Sequence, residues 1–128
     1  MFDVLLYHTG PDEILVECDL ALSEKVRKHL SMYKVRRKVK IEKFLSEPIG
    51  HVFPDEFDSE PWQGTNGEFS DPRVFQFGRR KIGECELERG AIETYHRKRF
   101  ELGIPEGSAE ILFDKSFPLE CNLGKRTN

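Results

Sequence analysis

The chain has 128 residues and carries 20 Lys and Arg against 23 Asp and Glu, which gives a net charge of −3. This length predicts one domain that can bury a core without disulfides or metals. The slight acidity argues against a general nucleic-acid-binding protein, which is expected to be clearly basic. No apolar run approaches the roughly 20 residues that a membrane-spanning helix requires, so we expect no membrane partner.

The three cysteines are Cys18, Cys85 and Cys121. Their odd number and long spacing argue against a disulfide framework and favour a reducing compartment. No Cys-X-X-Cys pair occurs, and no His lies at zinc-site spacing from a Cys, so no metal site is predicted. We interpret the cysteines as small buried or half-buried thiols.

The first 33 residues predict a β-hairpin followed by a helix. Residues 2–8 and 13–18 are rich in β-branched and bulky side chains, and the turn sequence TGPD separates them. Asp19 is placed to cap the helix that follows. The apolar stripe of this helix recurs at helical spacing and consists of Leu22, Val26, Leu30 and Tyr33.

Residues 25–40 form a basic run with eight Lys or Arg and no acid. Within this part of the chain, residues 35–41 end in the sequence VKI, which predicts a strand. One interpretation of the run is a surface for phosphate, RNA or an anionic partner. The other is a solvated helix face followed by an edge strand that its lysines keep soluble. The residues assigned to the possible anion or partner surface are Lys34, Arg36, Arg37 and Lys38.

The middle of the chain predicts short strands around an acidic loop. Residues 49–53 and pieces of 74–85 are strand-like. Residues 54–70 hold two prolines, two glycines, five carboxylates and no Lys or Arg, a composition typical of an exposed loop.

The last third predicts a second helix over residues 91–102, which Gly103 and Pro105 terminate. Residues 112–123 are expected to be extended. The whole order indicates an α+β fold with mostly antiparallel strands and two main helices, and it lacks the βαβ alternation of a parallel sheet.

Two carboxylates, Asp3 and Glu120, stand in otherwise apolar stretches, FDVLLY and FPLECNL. A carboxylate enclosed by apolar residues must be paired or must bind a polar group. Two such groups would suit a ligand rich in N–H donors, such as a pterin or purine, whereas the alternative is a strand-edge residue that points to water. The scattered histidines assemble no catalytic set and are interpreted as packing residues: His8, His29, His51 and His96.

Five stretches in order resemble one family. MFDVLLY is similar to the family strand LYDVILY, and EILVECD followed by a helix and YKVRRKV is similar to its strand, helix and YRLRRKV segment. DPRVFQFGRR resembles the element DPR…GwR, TYHRKRFELGIPEG resembles YhxxRYxxGVPEG, and FPLECNL resembles LPLECNL. The family is that of the mitochondrial iron–sulfur cluster assembly factors of YgfZ/GcvT-like type, which are related to folate-binding aminomethyltransferases.

The resemblance implies a partial aminomethyltransferase-type fold over residues 1–123, followed by a divergent tail at 124–128. It implies a role in late assembly of 4Fe–4S clusters in the mitochondrial matrix, for targets such as aconitase and lipoate synthase. It implies iron–sulfur scaffold proteins and 4Fe–4S apoproteins as partners, and tetrahydrofolate as the ligand of the full-length family. Asp3 falls at the position of a folate-site aspartate, and Glu120 at the glutamate of the LE pair near the same cavity.

The chain departs from the family pattern at its ends. The family motif KGCYxGQE does not follow PLECNL, and the N-terminal part of the family fold, with the GR that normally precedes FDVLLY, is absent. The opening MFDVLLYHTG also has no features of a transit peptide. We therefore expect a chain truncated at both ends, of low stability, and we predict no catalytic residue in it. The alternatives are a folate-dependent aminomethyltransferase, an RNA- or anion-binding module, and a nonfunctional fragment.

Overall fold

The computed structural model describes residues 2–43, 49–53, 67–83 and 92–122. The chain divides into two compact units. Unit 1 comprises Met1–Leu45 and Glu106–Phe117, and unit 2 comprises Ser46–Pro105 and Pro118–Asn128. None of the helices in the described ranges is long and apolar enough to cross a membrane.

The elements in chain order are β1 (Val4–Gly10), β2 (Glu13–Cys18), α1 (Ser23–Tyr33), β3 (Ile49–Val52), β4 (Glu68–Ser70), β5 (Arg79–Ile82), α2 (Ile92–Glu101) and α3 (Gly107–Glu110). Short 3-10 turns at Leu20–Leu22 and Phe75–Phe77 precede α1 and β5.

Unit 1 is built on the antiparallel hairpin of β1 and β2, in which Val4 lies opposite Cys18 and Tyr7 opposite Leu15. Bulky side chains in these strands favour extended backbone. The buried Tyr7 hydroxyl donates to Glu17 Oε2 at 2.7 Å, so this buried polar group is satisfied. Among the described residues of unit 1, Tyr7, Val26 and Ile111 are the buried apolar ones.

Unit 2 contains a three-stranded sheet in the order β3-β5-β4, in which both neighbours pair antiparallel with the central strand β5. Among its described residues, the buried apolar ones are Phe77, Ile104 and Cys121. The rings of Phe77 and Tyr95 lie 5.3 Å apart, which brings α2 against the segment that leads into β5. Aromatic pairs at this spacing add packing energy beyond the area they bury.

The predicted α+β class with mostly antiparallel strands and two main helices is confirmed. The hairpin, the helix after it, the strand near residue 50 and the second helix all lie where the sequence patterns placed them. Asp19 caps the 3-10 turn Leu20–Leu22 that leads into α1, since its Oδ1 accepts a hydrogen bond from the Ala21 N–H at 2.9 Å, whereas the N-cap of α1 itself is Leu22, which makes no side-chain cap hydrogen bond.

The predicted strand over residues 35–41 is wrong. Val35 has a φ of +41°, a left-handed conformation that breaks an extended run. The Arg37 N–H donates to the Lys34 carbonyl, and the Lys34 ammonium reaches the Val39 carbonyl at 3.1 Å. These contacts fold the chain into a turn after α1.

Two further expectations differ from the structure. Residues 112–122 form turns instead of an extended segment, with Asp114 and Asn122 at positive φ, and the short helix α3 precedes them. Residues 54–66 of the predicted acidic loop 54–70 lie outside the described residues. The end of the predicted loop, Glu68–Ser70, is strand β4. The predicted tail 124–128 also lies outside the described residues.

Candidate functional site

Asp3 precedes β1 and is half-buried in unit 1. Its Oδ2 accepts a hydrogen bond from the Gly107 N–H at 2.9 Å, so it holds the first residue of α3 across 104 positions of sequence. Its Oδ1 accepts no hydrogen bond from the described part of the chain. Carboxylate oxygens accept hydrogen bonds from N–H donors.

Asp19 holds the same short helix from the end of the hairpin. Its Oδ2 accepts hydrogen bonds from both the N–H and the hydroxyl of Ser108. The hydroxyl bond, followed by the amide bonds from Ala21 and Ser108, holds the pKa of Asp19 below its usual value. The two aspartates thus hold α3 against the hairpin through hydrogen bonds to Gly107 and Ser108.

Glu120 lies on an exposed turn in unit 2. Its exposure fits the alternative in which the side chain points to water, although the backbone there is a turn and not a strand edge. Asp3 belongs to unit 1, so the two carboxylates predicted for one ligand site are in different units. A folate-type contact at Glu120 stays a prediction.

The four basic residues assigned to the partner surface follow α1 directly. Lys34 is half-buried, and its ammonium closes the turn by donating to the Val39 carbonyl. Arg36, Arg37 and Lys38 are exposed. Exposed apolar side chains flank them, so this part of unit 1 is both cationic and apolar.

Unit 2 contains a buried ionic cluster that the sequence patterns did not predict. Asp71 accepts two side-chain hydrogen bonds from Arg73, from Nε to Oδ1 at 2.9 Å and from Nη2 to Oδ2 at 2.6 Å. Arg80 Nη1 lies 3.6 Å from the same Oδ2 and donates to the Tyr95 hydroxyl at 3.0 Å. Such two-pronged arginine–carboxylate pairs are strong and fix geometry.

The charge state of the cluster follows from its surroundings. Burial alone would raise the pKa of Asp71, but the hydrogen bonds and charge of Arg73, with the charge of Arg80, outweigh burial and lower that pKa. Asp71 is therefore a buried anion. Asp71, Arg73 and Arg80 belong to the DPR and GRR motifs. In the sequence, these motifs indicated only the resemblance to the family.

The cysteines and histidines do not assemble a metal site in the described ranges, where no group of three His, Cys, Asp or Glu side chains converges. Cys18 is half-buried and Cys121 is buried, as expected of packed thiols, and Cys85 lies outside the described residues. Burial, followed by the charges of Asp19 and Glu17, raises the pKa of the Cys18 thiol, which makes it less reactive. His51 packs among Phe53, Phe77 and Tyr95.

Three curated relatives align with almost the whole chain. The mouse "Iron-sulfur cluster assembly factor IBA57, mitochondrial" is 34% identical over 145 residues, which cover 96% of this chain and 40% of the mouse protein. The human protein of the same name is 29% identical, with the same coverage. The Neurospora crassa homolog is 30% identical over 94% of this chain and 33% of its own length. No protein-family profile matches the chain.

The predicted resemblance to mitochondrial iron–sulfur cluster assembly factors is thereby confirmed. The chain is similar to these proteins along nearly its whole length, and it spans 33–40% of the length of the three relatives.

Proposed function

We propose that this chain acts in the maturation of mitochondrial 4Fe–4S proteins, as a homologous portion of an IBA57-type assembly factor. The observation that carries the proposal is the similarity to the mouse factor across 96% of the chain. The mouse, human and Neurospora crassa proteins are all named as mitochondrial, which supports a mitochondrial location, and we propose the matrix as the compartment.

The internal contacts support a role in binding more than in chemistry. In unit 2 the motif residues Arg73 and Arg80 both contact Asp71, and in unit 1 Asp3 and Asp19 hold α3. These charged groups stabilise the fold and leave its outer surface to make contacts. We propose iron–sulfur scaffold proteins and 4Fe–4S apoproteins as the partners of that surface.

A chimera tests the maturation role. The segment of the mouse factor that aligns with this chain is replaced by this chain and expressed in mouse cells depleted of the endogenous factor. We expect 4Fe–4S enzyme activity to return while 2Fe–2S enzymes stay unchanged. An inactive chimera that accumulates to the level of the mouse protein would contradict the proposal.

Tetrahydrofolate is the ligand we propose for Asp3. Support comes from the half-buried carboxylate, whose Oδ1 receives no hydrogen bond within the described ranges and can accept from the N–H groups of a pterin. Asp3→Asn keeps an acceptor for the Gly107 N–H but removes the charge. We expect it to weaken tetrahydrofolate binding about tenfold, because hydrogen bonds to charged groups are the stronger ones.

Equilibrium dialysis of the whole chain against tetrahydrofolate measures this effect. Asp12→Asn, at an exposed position in the hairpin turn, is the matched control and should bind like the wild type. Equal binding by both variants, or no binding by the wild type, would remove Asp3 from the site.

A further inference from the structure

The turn after α1 carries an apolar surface as well as a cationic one. Met32, Tyr33 and Val35 are 68%, 70% and 76% exposed, although side chains of this kind are usually buried. Val39, on the far side of the turn, is 50% exposed. We call the segment from Met32 to Val39 the basic–apolar turn.

The turn has a fixed shape. The Lys34 N–H donates to the Leu30 carbonyl at the end of α1, and the Arg37 N–H donates to the Lys34 carbonyl at 2.9 Å. The Lys34 side chain then reaches the Val39 carbonyl. A surface held by these bonds loses less entropy on binding than a free segment would.

Val35 is strained in this turn. Its φ of +41° is unfavourable for a β-branched residue, yet its side chain is exposed and gains little from packing inside the unit. Strained backbone of this kind concentrates at functional sites. A contact made by this side chain with another molecule would account for an apolar residue at that position.

The cations of the turn have no carboxylate partner within the described part of the chain. Ion pairs nearby join Arg27 to Glu24 and Lys40 to Glu42, but none of the described carboxylates pairs with Arg36, Arg37 or Lys38. Three adjacent positive charges that pair with none of the described carboxylates attract an acidic molecule.

We propose that the basic–apolar turn docks a protein partner that presents acidic side chains around an apolar one. The combination of Met, Tyr and Arg is typical of protein interfaces, in which an apolar centre is surrounded by a polar rim. A polyanion such as RNA would use the charges but would leave Met32 and Val35 exposed. Docking here requires neither a cluster nor folate, so its failure would leave the proposed maturation function standing.

The test is a binding titration of the whole chain with a fluorescein-labelled peptide rich in Glu that carries Phe and Leu at intervals. The Arg36→Ala/Arg37→Ala variant should bind about tenfold more weakly, because arginines at the centre of an interface carry much of its binding energy. Val35→Asn, which suits a left-handed backbone, should also weaken binding while the protein stays folded.

The matched control is Arg97→Ala/Lys115→Ala, which removes two exposed positive charges from outside the turn. It should bind like the wild type. Equal weakening in this control would mean attraction to net charge alone and would overturn the proposal. So would the absence of peptide binding at low salt, or tighter binding of an oligouridine that Val35→Asn leaves unchanged.

Discussion

The carboxylate of Asp71 and the guanidinium of Arg73 lie 2.6 Å apart, with side chains that are 0% and 7% exposed. The Asp71 N–H also donates to the Gly78 carbonyl at 2.9 Å. Asp71 therefore holds the segment between β4 and β5 both through its carboxylate, which binds Arg73, and through its backbone. Removing one partner of a buried pair leaves the other charge without compensation inside the protein.

Asp71→Asn should therefore destabilise the chain by about 3–5 kcal/mol. The amide cannot neutralise Arg73 and Arg80, which both lie against this position. Urea unfolding measures the change in midpoint. Asp12→Asn, in the exposed hairpin turn, should stay within about 0.5 kcal/mol of the wild type. Equal stability of the two variants would show that the buried pair contributes nothing.

Acid should weaken the fold through the same residue. The folded protein keeps Asp71 charged to a lower pH than the unfolded chain, whose Asp pKa is about 3.9. The unfolded chain therefore binds more protons below that value. The contribution of the ionised Asp71 carboxylate to the free energy of unfolding is complete above about pH 5, and it is lost as the pH falls through the depressed pKa.

Urea midpoints measured between neutral and acidic pH check this dependence. The midpoint of the wild type should fall more steeply on acidification than that of Asp71→Asn. A residual slope is expected in the variant, because the pKa of Asp19 is lowered as well. Parallel slopes would contradict the charge assigned to Asp71.

Ser108→Ala should loosen α3 from the hairpin. The change removes the hydroxyl bond to Asp19 but keeps the backbone bond, so a loss of about 1 kcal/mol is expected. The pKa of Asp19, measured by NMR of its carboxyl carbon, should rise towards its ordinary value. Ser31→Ala, on the exposed face of α1, should be neutral or stabilising, since alanine favours helix. An unchanged Asp19 pKa in Ser108→Ala would argue against this contact.

Val35→Asn should raise the stability of the isolated chain by about 1 kcal/mol, because asparagine tolerates the left-handed backbone that valine resists. Val39→Asn is the paired control, since Val39 is exposed in the same turn but does not have a positive φ. Thermal unfolding of both variants compares them. A gain in both, or in neither, would show that the strain at Val35 is absent in solution.

The sequence predicted the elements that depend on local patterns. The hairpin follows from two strand-like runs around TGPD, and α1 follows from the spacing of Leu22, Val26 and Leu30. Residues 35–41 have the composition of a strand, but a strand needs a neighbouring strand to pair with its backbone N–H and C=O groups. The chain instead closes on itself through Lys34.

The contacts of the candidate sites could not be predicted, because they join distant positions. Asp3 meets Gly107 across 104 residues and Asp19 meets Ser108 across 89 residues. Asp71 comes near Arg80 because β4 and β5 pair with Ser70 opposite Arg79, a register that no local pattern encodes. The motifs indicated the resemblance to the family, whereas their contacts inside each unit required the structure.

The most direct measurement of the proposed function is aconitase activity per amount of aconitase protein in cells that carry the mouse–chain chimera. We predict a return to the level obtained with the intact mouse factor, and a smaller return with a chimera that carries Asp71→Asn. An activity that stays at the level of depleted cells, with the chimera present in normal amount, would contradict it.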